Sequence, residues 1–343
     1  MKTLQIGNRS IGPGAPCYLI TEVGTTCLGK MDYALRLIDA AADAGMDAVK
    51  FQMIDPEQLS DPSVTYKFHA GGREHEMNMK KMFTRLGFSH EQWAQIRDAC
   101  HARGVDFFAT VDFEAGVDWL EHLNVPVHKM GAWDVTCRPL VEKIAATGKP
   151  LIVDLGPATE AEMEELVHWA GATPVVFLHD FHTGDDREMN LLAVRYLLET
   201  QPWPSGFSSP ARDDDLDFLA LALGARLLEK RLILSRQDVA FHADESLEPE
   251  ELKQWVARIR HAERALGQAA IRPSKVDRAH SLEYYRSVCT LRDIAAGEVF
   301  DAANLGTKRP GTGLHPRHLN AIWGRRASRD LPINTLIKEE DCQ

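Results

Sequence analysis

Residues 32–51 read DYALRLIDAAADAGMDAVKF, and residues 91–110 follow the same plan with EQWAQIRDACHARGVDFFAT. In the first stretch Gly45 predicts the left-handed end of a helix, and residues 48–51 predict a buried strand directly after it. The apolar face of this predicted helix is made of Leu35, Ile38, Ala41 and Ala42. A helix that ends at a glycine and leads at once into an apolar strand is the repeating unit of an α/β fold.

This unit recurs along most of the chain. Apolar runs predict eight strands, at residues 17–22, 48–51, 105–110, 127–131, 151–154, 175–179, 206–208 and 226–230. Helical segments separate most of them, another follows at 248–266, and a short hairpin is predicted at residues 4–11. A doubly wound open sheet is the alternative, but TEVGTTCLG at 21–29 lacks the glycine-rich phosphate turn typical of that fold. The pattern therefore favours a (β/α)8 TIM barrel over residues 1–267.

The remaining chain is too short for another barrel unit. Residues 268–285, with Pro273 and several charges, predict a linker. Residues 286–343 hold short apolar runs broken by turns, which predicts a small, mostly β cap domain near the lower size limit for independent stability.

Charge narrows the class of partner. The chain has 39 basic and 50 acidic residues and a formal net charge of -11, so electrostatics do not favour nucleic acid or an anionic membrane as a partner. The N-terminal residues lack the apolar region of a signal peptide, and no stretch approaches the ~20 apolar residues that span a bilayer. We therefore expect a cytoplasmic protein.

Ionisable and polar side chains follow the predicted strands, where the active sites of TIM barrels lie. Lys50 and Lys129 suggest an anionic ligand, since a phosphate or carboxylate between them gains charge-assisted hydrogen bonds. Glu22, at the end of the first barrel strand, is a candidate general acid or base. The substrate-binding residues predicted at the other strand ends are Gln52, Thr110, Asp154, His179, Ser208 and Lys230.

Several motifs, in register from end to end, resemble the sialic acid synthase family. TEVGTTCLG (21–29) resembles the family pattern A-E-I-G-x-N-H-x-G, and VPVHKMGAWDVT (125–136) resembles V-P-x-Y-K-I-x-S-G-E/D-x-T. GKPLIVDLGPAT (148–159) resembles G-K-P-I-I-L-S-T-G-M-A-T, and SLEPEEL (246–252) matches the same family string. KRPGTG (308–313) is typical of the family's antifreeze-like (SAF) domain. The resemblance therefore implies that the cap is an SAF domain.

The resemblance implies a transferase that condenses phosphoenolpyruvate with an amino sugar, such as N-acetylmannosamine, to form a nonulosonic acid. It implies a domain-swapped homodimer in which the cap of one chain covers the other's barrel, with Arg309 touching the sugar. It also implies that Lys50, Lys129 and Ser208 hold phosphoenolpyruvate and that Glu22 faces the sugar. We assign Asp134, the acidic position of GAWDVT, a catalytic role.

The sequence departs from the family where the metal binds. Members use two histidines for a divalent ion, often manganese; here Pro210 and Arg231 stand at those positions. Proline has no ligand atom and a guanidinium repels a cation, so we expect no metal at the usual site and name no certain cofactor. A displaced manganese or zinc site from His179, Asp180, His182 and His242 is the alternative.

Other departures alter the pocket itself. Ala132 and Asp154 replace serines expected near the phosphate, and Trp133 replaces a glycine, which predicts a filled or reshaped sugar pocket.

Three functions are compatible with these residues. In the first, the chain is a condensing synthase in which Arg231 supplies the positive charge of the missing metal and acts as a catalytic residue. In the second, the barrel performs other carbon–carbon chemistry through a Schiff base on Lys129 or Lys230. In the third, the barrel is an inactive sugar-binding or regulatory homologue.

Overall fold

The structure, a computed structural model, describes residues 1–343 and divides into two compact units, Met1–Gly267 and Gln268–Gln343. Its strands in chain order are β1 (Leu4–Ile6), β2 (Arg9–Ile11), β3 (Tyr18–Glu22), β4 (Ala48–Met53), β5 (Thr65–Ala70), β6 (Arg73–Asn78), β7 (Asp106–Val111), β8 (His128–Met130), β9 (Leu151–Asp154), β10 (Val175–His179), β11 (Gly206–Ser208), β12 (Leu227–Arg231), β13 (Ser287–Thr290) and β14 (Leu305–Lys308). All eight predicted barrel strands are present, with ends that differ by at most two residues.

The helices are α1 (Met31–Ala44), α2 (Pro56–Leu59), α3 (Met79–Thr84), α4 (His90–Ala102), α5 (Glu114–His122), α6 (Arg138–Ala145), α7 (Glu160–Ala170), α8 (Ala193–Thr200), α9 (Asp215–Leu223), α10 (Pro249–Leu266), α11 (Lys275–Tyr284) and α12 (Leu319–Ile322). Gly45 ends α1 with a φ of 86°, as its position in the sequence predicts. Ile38 and Ala41 of the predicted face of α1 are buried, but Leu35 is exposed, and Ala34 and Leu37 are buried in its place. None of the helices combines the length and hydropathy needed to cross a bilayer.

Eight parallel strands close the barrel in the order β3, β4, β7, β8, β9, β10, β11, β12 and back to β3. This topology confirms the predicted (β/α)8 fold, with helices between successive strands. Pairing aligns Arg231 with Glu22 and Glu22 with Lys50. Since side chains alternate along a strand and paired residues share a face, these three side chains all point into the barrel.

An antiparallel hairpin of β5 and β6, which was not predicted from the sequence, is inserted between β4 and β7. Its Phe68 packs edge-to-face on Phe241, with ring centroids 5.3 Å apart. The amides of Gly71 and Gly72 at its turn each donate a 3.0 Å hydrogen bond to the Asp244 carboxylate. The hairpin is therefore held by a small apolar cluster and by the two hydrogen bonds from its turn to Asp244.

The second unit is small and contains one two-stranded antiparallel sheet, β13 with β14. Val288, Phe300, Leu305 and Ile337 lie in its separate apolar core. The stretch predicted as a linker is not wholly irregular, because α11 occupies residues 275–284 behind a capping box at Ser274.

Candidate active site

A cavity of about 580 Å³ opens where the barrel strands end. Its polar floor includes Glu22, Lys50, Gln52, Thr110, Asp154, Ser208 and Glu229. Its rim carries Asp112, Trp133, Asp134, Asp180, His182, Arg231 and His242. Apolar side chains from the segment between β4 and β7 and from the loop after β12 complete it, including Ile54, Val64, Tyr66, Phe83 and Phe241.

Two lysines and three carboxylates alternate in one buried network, in which Lys50 lines the floor and Lys129 lies beneath it. The Lys50 Nζ lies 2.5 Å from Glu22 Oε2 and 3.0 Å from Glu229 Oε1. The Lys129 Nζ lies 2.5 Å from Glu229 Oε2 and 2.9 Å from Asp154 Oδ1. The side chain of Lys129 is 0% exposed, so solvent does not screen these contacts. Both ammonium groups are therefore already paired with carboxylates of the protein.

Burial and pairing shift the pKa values of this network. Burial alone would lower the pKa of Lys50, but the Glu22 and Glu229 carboxylates outweigh it and raise that pKa above its usual range. Burial alone would raise the pKa of Glu229, but Lys129 and Lys50 lower it to about 2. For Asp154 burial dominates over Lys129 and raises the pKa. Lys50 and Glu229 are thus charged, while burial makes the charged form of Asp154 less favourable.

Arg231 ends β12 inside the cavity, with its side chain 21% exposed. Its nearest carboxylate is Glu245, at 3.6 Å, and Glu245 also accepts a 2.7 Å hydrogen bond from His242 Nδ1. Burial and then the Arg231 charge lower the pKa of His242 to about 4 and also lower the pKa of His182. At neutral pH both imidazoles are therefore uncharged, and Arg231 is the fixed positive charge of the rim.

Three rim carboxyls have raised pKa values. Burial, then the Asp134 charge, raises the pKa of Asp112 to about 7, and burial raises that of Asp134 to about 6. Burial and the Asp154 charge raise the pKa of Asp180 to about 7. Carboxyls that titrate near neutral pH are suited to general acid–base chemistry.

The structure contradicts two predicted substrate contacts, because neither side chain lines the cavity. Lys230 faces the surrounding helices and lies 2.7 Å from Asp217 Oδ2 in a fully buried ion pair. His179 pairs in register with Phe207, stacks on it, and bonds the Met189 carbonyl oxygen at 2.8 Å. Strict alternation explains both corrections, since an inward Arg231 forces Lys230 outward and an inward Leu178 forces His179 outward.

Glu229 is the floor residue that the sequence analysis missed. It links the two lysines and is 5% exposed. The signal was present, because Glu229 lies two residues before Arg231 on one strand and must share its face. Asp112 and Asp180 follow strand ends and were likewise not among the predicted substrate contacts.

The other predicted residues are placed as follows. Glu22, Lys50, Gln52, Thr110, Asp134, Asp154, Ser208 and Arg231 all line the cavity. Lys129 does not line it: its side chain is 0% exposed and lies beneath the cavity, against Glu229 and Asp154. Thr110 Oγ1 is 3.3 Å from Lys50 Nζ. Arg309 belongs to the second unit, where its Nε donates to the Tyr284 carbonyl oxygen at 2.7 Å. The chemical roles of these residues stay predictions.

The residues at the family's metal position do not fit a cation. Pro210 has no ligand atom, and the Arg231 guanidinium points into the cavity with its own positive charge. The displaced set does not assemble either, since His179 faces away from the cavity. No three His, Cys, Asp or Glu side chains in the chain are arranged as metal ligands.

Comparison with known proteins identifies the relationship. Residues 37–270 match the NeuB family, and residues 285–342 match the SAF domain. The chain belongs to the NeuB family. This NeuB-family chain is 30% identical over 350 residues to an uncharacterized protein of Methanocaldococcus jannaschii, with 99% of each chain covered.

Several other relatives have names that state a biosynthetic activity. The chain is 28% identical to the pseudaminic acid synthase of Campylobacter jejuni, covering 99% of this chain and 100% of the relative. The crystal structure of a spore coat polysaccharide biosynthesis protein from Bacillus subtilis superposes with a TM-score of 0.67 at 28% identity, covering 100% and 99% of the two chains. Other relatives are named for N,N'-diacetyllegionaminic acid and N-acetylneuraminate-9-phosphate synthesis. The predicted membership of the sialic acid synthase family and the SAF domain are thereby confirmed.

Proposed function

We propose that this chain condenses phosphoenolpyruvate with an amino sugar to give a nonulosonic acid, with Arg231 in place of the usual metal ion. The observation that carries the proposal is the position of Arg231, beside Glu22 in the barrel register and inside the cavity. Its only carboxylate within ion-pair distance is Glu245 at 3.6 Å, which is long for a guanidinium–carboxylate hydrogen bond. The guanidinium is therefore available to polarise a carbonyl oxygen.

The floor supports binding of a compact anion. When Asp154 is protonated, the charges of Lys50, Lys129, Glu22 and Glu229 cancel, and the Arg231 guanidinium reaches into the cavity with its nearest carboxylate, Glu245, 3.6 Å away. A protonated Asp154 also donates a hydrogen bond, which a phosphate oxygen accepts as it would from serine. Burial raises the pKa of Asp154, so uptake of a proton on anion binding would relieve the repulsion between its carboxylate and phosphoenolpyruvate.

The rim supplies the protons that condensation needs. A bond forms between C3 of phosphoenolpyruvate and the sugar carbonyl carbon, while water adds at C2 and phosphate departs. The former carbonyl oxygen accepts a proton and becomes a hydroxyl. Asp134, with a pKa near 6 and a place on the cavity wall, is the proposed donor of that proton.

A second function, an inactive sugar-binding homologue, is favoured by one observation. Lys50 and Lys129 are both held by carboxylates of the protein, so an incoming anion must displace or share those contacts. The Schiff-base alternative has less support. Lys230 lies outside the cavity, and Lys129 is 0% exposed, paired with Glu229 and Asp154 and absent from the cavity lining.

Phosphate release tests the proposal. Pure protein is incubated with phosphoenolpyruvate and N-acetylmannosamine, with and without a chelator, beside Arg231→Met. Arg258→Met is the matched control, because its side chain is 59% exposed and pairs with Asp214, the residue before α9. We expect chelator-resistant release that falls ~100-fold or more in Arg231→Met and is unchanged in the control. Sugar binding without any release would favour the inactive homologue, and release abolished by the chelator would refute the role of Arg231.

We further propose that residues 286–343 cap the barrel of a second chain in a swapped homodimer. The family membership supports this arrangement. Sedimentation velocity should show a dimer. Arg309→Ala should weaken sugar binding without dissociating the dimer. A monomeric protein that turns over at full rate would contradict the arrangement.

A further inference from the structure

Trp133 is the largest apolar side chain at the cavity rim and is 67% exposed. It lies in the short helical turn 132–134 directly after β8, beside Asp134. Its ring therefore contributes little to the core, although exposing an indole to water is unfavourable. A side chain of this kind at the edge of a ligand cavity is suited to contact with the ligand.

A second aromatic ring braces it. The His182 ring lies 5.0 Å from that of Trp133, centroid to centroid, with a tilt of 38°. Gly156 makes room for this pair: a Cβ there would lie 2.6 Å from the Ala132 Cβ and 3.2 Å from His182 Cε1. The φ of 40° at Gly156 also disfavours any side chain. The loops after three strands are thus built around the position of the two rings.

Acidic groups border the same rings. Asp134 follows Trp133 in the chain, and Asp180 Oδ2 lies 4.0 Å from His182 Nε2. An aromatic face beside carboxyl groups suits the chemistry of a sugar. Its C–H groups contact the negative face of an indole, and its hydroxyls bond carboxyl oxygens at the edge.

We propose that Trp133, braced by His182, is the platform against which the C–H groups of the acceptor amino sugar rest, and that it sets acceptor affinity. The inference deepens the proposed function and rests on its amino-sugar acceptor. Trp133 is a specificity-determining residue in this arrangement, and the phosphoenolpyruvate contacts on the floor do not involve it.

Direct binding tests the inference without turnover. N-acetylmannosamine is titrated into full-length wild type, Trp133→Ala and Trp133→Phe in the absence of phosphoenolpyruvate. The matched control is Leu219→Ala, which shortens an exposed apolar side chain that lies elsewhere, on α9. Stacking of this kind predicts a roughly five- to tenfold weaker Kd for Trp133→Ala, with about half of that loss for Trp133→Phe. The control should bind like wild type.

The outcomes separate the two proposals. Sugar binding that stays within about twofold of wild type in Trp133→Ala would overturn the platform and leave the condensation proposal standing. A changed oligomeric state with unchanged sugar affinity would do the same and would assign Trp133 to a protein contact. An absence of sugar binding in the wild type would overturn both. A larger Kd for the sugar with an unchanged KM for phosphoenolpyruvate would support the platform.

Discussion

Replacing Lys230 with methionine tests whether this lysine is structural, as the barrel register requires. Its ammonium donates hydrogen bonds to Asp217 Oδ2 at 2.7 Å, to the Asp213 carbonyl oxygen at 2.9 Å and to Ser209 Oγ at 3.2 Å. The side chains of Lys230 and Asp217 are 1% and 0% exposed. In the variant Asp217 keeps one side-chain donor, Trp255 Nε1 at 2.9 Å.

Removing one partner of a buried ion pair costs ~3–5 kcal/mol, because the other charge remains without compensation. We expect about 3 kcal/mol at pH 7, the lower end of that range, since Asp217 keeps its bond to Trp255 and can take up a proton. Burial already raises the pKa of Asp217, and losing Lys230 raises it further. An acid with a raised folded-state pKa loses stabilisation as pH rises, so the destabilisation should be smaller at pH 5 than at pH 7.

Urea unfolding followed by tryptophan fluorescence measures this free energy. Lys143→Met is the matched control, because its ammonium pairs with Asp118 on the surface and should contribute less than about 1 kcal/mol. Lys230→Met/Asp217→Asn should recover part of the loss, since no buried charge remains. A free energy of unfolding of Lys230→Met within about 1 kcal/mol of that of the wild type, together with lost phosphate release, would refute this structural role. It would place Lys230 in the substrate site instead.

Three further outcomes follow from the cavity. Arg231→His combined with Pro210→His should create divalent-ion dependence of phosphate release, measured by chelation and re-addition of manganese; release indifferent to manganese would contradict the metal-replacement argument. Asp112→Asn should raise the urea midpoint more at pH 8 than at pH 5, because the cost of the raised pKa of Asp112, about 7, grows as pH rises from its unfolded pKa of about 3.9 to about 7; equal shifts at both pH values would disagree with that pKa. Asp244→Ala should speed amide hydrogen exchange across residues 65–78, since the two hydrogen bonds at the hairpin turn are lost; unchanged exchange would show that these two bonds do not stabilise the hairpin.

The position of each residue along its strand explains why some site residues were predictable from the sequence and others were not. Glu22, Lys50 and Lys129 were found because each is a charged residue in or at the end of a clear apolar strand. Lys230 and His179 were assigned wrongly because proximity to a strand end was used without the alternation of faces. Glu229 was missed for the same reason.

The sequence by itself determined the periodic units, the barrel, the small second domain and the family. These follow from local patterns of 3.6 and 2.0 residues and from motifs that are continuous in the chain. Only the tertiary structure decided that Lys50, Lys129, Glu22, Glu229 and Asp154 form one buried network, because their pairing depends on closing the barrel across five strands. The shifted pKa values belong to the same level, since burial and neighbouring charges exist only once distant strands have come together.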